Sequence, residues 1–169
     1  MSALPDVVHG VVYAAMDFDA PPERVFRALT DPAELAAWWG ADDAYRSFDW
    51  QVDLRVGDTY RSRQRSATDP TAPETTVEGE YLVIDPPRLL VCTWRPSWED
   101  VPETTIRYEL TPTAAGGTRL VLTHTGFAGR AGACEDHARG WTAVLGWLHA
   151  YSERAESEPP PRAALPHPA

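Results

Sequence analysis

The sequence contains no lysine. Its 15 basic residues are all arginine, set against 25 acidic ones, for a net charge of −10. A chain this acidic argues against a nucleic-acid partner or an anionic membrane surface. Cysteine is scarce too: Cys92 and Cys134 are the only two. Their spacing fits no zinc pattern, and a structural disulfide is not expected in a reducing compartment. The five histidines lack metal-ligand spacing, so neither a metal nor a cofactor is expected. No apolar run approaches the ~18 residues of a membrane span. The opening Met-Ser-Ala-Leu-Pro-Asp has neither the basic region nor the apolar core of a secretory signal, so a cytoplasmic protein is expected. A phosphate loop, a dinucleotide fingerprint, and Ser-His-Asp or Cys-His arrangements are also missing.

What is present suffices for a stable core. The chain has 169 residues, 43% of them hydrophobic, with seven tryptophans. It reads as one domain over residues 8–155, followed by a Pro-rich disordered tail over 156–169. Two amphipathic helical stretches bracket a middle of strands. Residues 8–18 read as a first strand. Pro21-Pro22 then open a short helix with Val25, Phe26 and Leu29 on its apolar face. Asp31-Pro32-Ala33-Glu34 starts a second helix, with Asp31 as cap and Glu34 expected to reach back to the cap amide. Leu35, Trp38 and Trp39 follow at helical spacing, and Gly40 ends it. Strands are expected over 46–53, 59–65, 76–85, 88–95, 104–111 and 118–125, in an antiparallel meander. The stretch 96–102 is a loop carrying Trp98. Residues 126–135, with Gly126, Gly129 and Gly132, read as a flexible connection. The last helix then runs over 136–151 and places Trp141, Leu145 and Leu148 on one face.

Several segments together resemble a known family. They are Ala20-Pro…Val25-Phe26-x-Ala28-Leu29-Thr30-Asp31-Pro32-x-x-Leu35-x-x-Trp38-Trp39, Asp53-Leu-Arg55-Val-Gly57, Gly79-Glu-Tyr81…Asp85-Pro-Pro-Arg-Leu89…Thr93-Trp94, Gly117-Thr118-Arg-Leu120-x-Leu122-x-His124, and Gly140-Trp141…Leu148. In this order they resemble the activator-of-Hsp90-ATPase-homologue-like domains of the START/Bet v 1-like superfamily, across residues 10–153. One departure is Gly57-Asp58, where the family usually has Gly-Gly. The resemblance implies an α+β helix-grip fold: a curved antiparallel sheet wraps a long C-terminal helix, with two short helices after the first strand. It also implies a cavity between sheet and helix.

Strand alternation assigns the inward faces. Leu120, Leu122 and His124 share one; so do Ile106, Tyr108 and Leu110, then Leu90, Cys92 and Trp94. Tyr60, Ser62 and Gln64 oppose Arg61, Arg63 and Arg65. Phe48, Trp50 and Val52 form another set, and Gly79 and Tyr81 another. The three arginines read as a solvated outer face rather than an anion site. The expected ligand-binding residues are Trp50, Tyr60, Gln64, Tyr81, Trp94, Tyr108, His124, Trp141 and Leu145. His124, helped by Tyr108, is the candidate general base; a structural or ligand-orienting His124 weighs more.

Three functions are weighed. The first is binding of a small hydrophobic molecule, aromatic or polyketide-like, as carrier, sensor or self-resistance protein; for self-protection the resemblance offers a backbone glycine such as Gly126, Gly129 or Gly132 as target. The second is a cyclase/aromatase- or dehydratase-like enzyme using the same cavity. The third is an interaction module. The partner expected is a small hydrophobic ligand, and the chain is expected to be a monomer or homodimer.

Overall fold

The computed structural model describes residues 2–98 and 102–157. Part of the expected 96–102 loop and the expected tail from 158 onward lie outside the described residues. Eight strands form one antiparallel sheet in the order β1-β2-β8-β7-β6-β5-β4-β3, from β1 (Leu4–Asp6), β2 (Val11–Phe18), β3 (Tyr45–Val52), β4 (Thr59–Ser66), β5 (Thr75–Asp85), β6 (Leu89–Pro96), β7 (Thr104–Pro112) and β8 (Thr118–Thr125). The helices are α1 (Pro22–Thr30), α2 (Pro32–Trp38) and α3 (Ala131–Ser157). This is the helix-grip fold: a curved sheet with two short helices after its first long strand and a long C-terminal helix across its inner face.

The short helices are set by local chemistry. Asp31 closes α1, its amide donating to the Arg27 carbonyl, and caps α2, its Oδ1 accepting from the Ala33 and Glu34 amides at 2.9 and 3.1 Å. Glu34 does not complete the capping box. Its carboxylate is taken by Arg24 at 2.5 Å, Arg27 at 3.1 Å and the Tyr151 hydroxyl at 2.9 Å. It thus ties α1, α2 and α3 together, a stronger use of a half-buried charge than one exposed backbone amide. After α2 the chain turns at Gly40, whose φ of +137° and closeness to Tyr45 leave no room for a Cβ.

Three further expectations are corrected. Phe48 is not on the inner face. A bulge between Phe48 and Gln51, with Asp49 at φ +52°, inserts a residue and reverses the alternation. Tyr45 and Ser47 point inward before it, Trp50 and Val52 after it, while Phe48 lies outside with Arg63 and Arg65 each 4.9 Å over its ring. Glu74 pairs with both arginines and Asp49 pairs with Arg63, so two carboxylates match these two cations. Second, α3 begins at Ala131, inside the expected 126–135 connection, and runs to Ser157, past the expected helix end at 151. Gly132 is tolerated because its neighbour Cys134 is fully buried, against the Asp6 and Val11 carbonyls. Third, an edge strand, β1, precedes the strand expected over residues 8–18. Only three residues long and containing Pro5, it carries no alternation to read.

The core lies between sheet and α3. Trp141, Leu145 and Leu148 are all buried there, as their spacing requires. Gly79 lets the Tyr60 ring cross the sheet so that its hydroxyl donates to the Thr93 carbonyl at 2.6 Å. A Cβ at Gly79 would stand 2.0 Å from that carbonyl oxygen and 2.6 Å from the Tyr60 ring. Gly79→Ala is therefore expected to lower stability by about 2–3 kcal/mol in urea unfolding; a loss below about 0.5 kcal/mol would show that the two strands separate freely there.

Candidate functional site: a tryptophan-walled cavity

Six indole and imidazole rings meet where the first half of α3 crosses β6 and β8. Trp94 lies 6.2 Å from both Trp39 and Trp141, and Trp39 lies 5.9 Å from Trp141. His124 and His137 face each other edge-on at 5.2 Å, with Phe127 4.7 Å from each. Trp98 stands against Trp94 at 6.4 Å.

Hydrogen bonds fix the polar edges of these rings. The Trp141 Nε1–H donates to His124 Nδ1 at 3.0 Å, so His124 carries its proton on Nε2 and donates it to Thr104 Oγ1 at 2.7 Å. Thr104 passes its own hydroxyl to the Trp94 carbonyl at 3.2 Å. The Trp94 Nε1–H donates to His137 Nε2 at 3.1 Å, and His137 Nδ1–H donates to the Ala133 carbonyl at 2.9 Å. The two imidazoles therefore hold opposite tautomers, each accepting one indole proton. The Trp39 Nε1–H goes to the Tyr45 hydroxyl at 3.1 Å.

His124 is fully buried, and burial, reinforced by His137, pushes its pKa well below the usual imidazole value. Both its nitrogens are engaged inside the protein, so it has no free lone pair to act as a base. Burial also pushes the Tyr60, Tyr81 and Tyr108 phenols upward, and the Cys92 thiol up to about 12. At neutral pH none of the four is ionised.

Beside this cluster opens a cavity of about 460 Å³. The helix α3 contributes Asp136, His137, Gly140, Trp141 and Val144; β6 and the turn after it contribute Trp94 and Trp98. Gln64, Ser66, Thr75 and Val77 come from β4 and β5, with Ala72 and Pro73 from the turn between them; Trp39, Ala44 and Tyr45 complete the wall. A second void, of about 20 Å³, lies deeper among Trp50, Tyr60, Tyr81, Leu90, Cys92 and Tyr108. Trp39 and Trp94 border both spaces and so separate them.

The family model for "Activator of Hsp90 ATPase homolog 1-like protein" matches residues 19–153. The chain belongs to this family. Solved structures agree. Protein CV1439 from Chromobacterium violaceum is 26% identical, with a TM-score of 0.75 over 85% of this chain and 97% of its own. Protein Mll3558 from Rhizobium loti is 27% identical, with a TM-score of 0.64 over 85% and 99%. Protein Ms6760 from Mycobacterium smegmatis, at 20% identity, shares the fold over 99% of both chains with a TM-score of 0.74. None of the curated proteins matches the chain.

Within this family fold, the nine residues expected at the ligand divide in three. Gln64, Trp94 and Trp141 line the larger cavity. Trp50, Tyr60, Tyr81 and Tyr108 surround the small void, which is too tight for a substrate. His124 and Leu145 line neither space and are packed inside the core. Tyr108 lies on the neighbouring strand and faces the same way as His124, two residues along: the register pairs His124 with Ile106, and Tyr108 with Leu122. Trp39, Tyr45, Trp98 and His137 also line the larger cavity, outside the expected set. His137 precedes Trp141 by one helical turn, so extending the helix face back by four residues identifies it.

Linkage follows from the buried neutral His124. In the unfolded chain it takes up a proton as pH falls below about 6.5, while the folded protein does not. Stability is therefore full above that value and falls as pH drops below it, with this one group contributing a slope of up to about 1.4 kcal/mol per pH unit. Urea unfolding between pH 7.5 and 5 measures this. His124→Gln is expected to flatten the slope by about one proton; an unchanged slope would show that His124 is protonated in the fold.

Proposed function

We propose that the protein binds a small, flat, hydrophobic molecule of aromatic or polyketide-like character in the larger cavity, as a carrier, sensor or self-resistance protein. The observation that carries this reading is the cavity itself: about 460 Å³, within the range of small-molecule sites, with four tryptophans in its wall. Indoles supply large rigid surface at little cost in side-chain entropy. Each of Trp39, Trp94 and Trp141 is held by a hydrogen bond from its indole N–H, so the wall is formed before any ligand arrives.

A cyclase- or dehydratase-like reading would draw on Tyr60, Tyr81, Tyr108 and His124. None of these lines the larger cavity, and no geometry favours that chemistry over binding. The net charge of −10 supports a reading without a nucleic-acid partner. Among the described residues no helix is long and apolar enough to cross a membrane.

Gly140 supplies the test. It lines the cavity, and a Cβ placed there meets nothing within 4 Å. Gly140→Leu should leave the fold intact, since replacing a helix-interior glycine gains roughly 0.5–1 kcal/mol. The new side chain would occupy ligand space. Tryptophan fluorescence titrated with a panel of polyaromatic compounds should show saturable quenching in the parent protein and at least about tenfold weaker binding in the variant. Equal binding in both, or no quenching by any compound, would overturn the reading.

A further inference from the structure

We infer that the molecule held in this cavity is an organic cation: an aromatic or alkylated ammonium, pyridinium or quinolinium compound. The inference rests on the reading that the cavity takes a small molecule, and adds the sign of its charge.

The first support is where the donors go. The indole N–H groups of Trp39, Trp94 and Trp141 are committed to Tyr45, His137 and His124. The remaining ring N–H of His137 is spent on the Ala133 carbonyl. The Gln64 amide donates to Ser62 Oγ at 2.6 Å, and the Thr75 hydroxyl donates to Gln64 Oε1 at 3.5 Å. What the wall keeps are the second N–H of the Gln64 amide, hydroxyls, which accept as well as donate, and the indole of Trp98, a residue 47% exposed. A ligand carboxylate or phenolate needs several donors aimed at it, and most side-chain donors of this wall are already bonded within the protein.

The second support is charge. Among the described residues that line the cavity, one is charged, and it is an acid, Asp136. Its carboxylate pairs with Arg139 on the exposed side of α3; Arg139 does not line the cavity. An anion entering here would lose water and meet no cation. A cation meets a carboxylate at the rim and a wall of indoles, whose ring faces attract positive charge. The net charge of −10 adds a long-range field of the same sign.

Three probes of nearly equal size and shape test the inference: cationic 1-methylquinolinium, neutral 1-methylnaphthalene and anionic 1-naphthoate. Binding is followed by calorimetry and by the indole N–H resonances in NMR, at physiological salt to screen the general surface field. We expect 1-methylquinolinium to bind at least about tenfold tighter than 1-methylnaphthalene, and 1-naphthoate not to bind. Asp136→Asn should weaken the cation about threefold and leave the neutral probe unchanged. A preference for the cation below threefold, or tighter binding of 1-naphthoate, overturns the inference while the small-molecule reading stands. Cation binding that persists in Gly140→Leu places the cation elsewhere on the acidic surface and also overturns it. Failure of all three probes at millimolar concentration overturns both.

Discussion

A buried indole N–H has to find an acceptor, and this requirement organises the centre of the molecule. Trp94 and Trp141 come from a strand and from the helix that crosses it, and each finds its acceptor on an imidazole. The acceptors are crossed between elements: His124 on β8 serves the helix tryptophan, while His137 on α3 serves the strand tryptophan. The two bonds thus staple α3 to the sheet from both sides. Because a neutral imidazole has one acceptor and one donor nitrogen, each pairing also dictates where the other proton goes. That proton is absorbed by Thr104 in one case and by the Ala133 carbonyl in the other.

The same staple explains why there is a cavity at all. Rings held at their polar edges cannot collapse into the space beside them. Deeper in, where Tyr60 crosses Gly79 and the inward side chains of β4, β5, β6 and β7 converge, large rings fill the space and the void is only about 20 Å³. Near the β4–β5 turn, small residues such as Ala44, Ala72 and Gly140 leave the wall open. A family fold that could have been packed solid is therefore split into a filled half and an empty half, with Trp39 and Trp94 as the partition.

Much of this architecture is legible in the sequence because its signals are periodic. Alternation placed Tyr60, Ser62 and Gln64 on one face and the arginines on the other, and the structure has them so. Helical spacing put Trp141, Leu145 and Leu148 together under the sheet. What escapes is aperiodic. The bulge at Asp49 reverses a strand's faces with no residue that announces it, so alternation alone puts Phe48 inside. Glycines at 126, 129 and 132 suggest a loop, yet the last of them lies in the first turn of α3, where Cys134 is buried. The site was legible only in part for a different reason. Sequence reports which side chains face inward, but not where the inward volume remains empty. Tyr108, Gln64 and Trp94 carry the same inward signal, yet only the latter two border the larger space.

The most direct measurement is the protonation state of the two buried histidines, read from long-range ¹H–¹⁵N NMR of the imidazole rings at pH 7. Crossed indole-to-imidazole bonding requires both rings to be neutral and in opposite tautomers, His124 with its proton on Nε2 and His137 with its proton on Nδ1. Finding His124 protonated on Nδ1, or doubly protonated, would contradict the account, since the Trp141 indole would then have no acceptor and the staple that holds the cavity open would not exist.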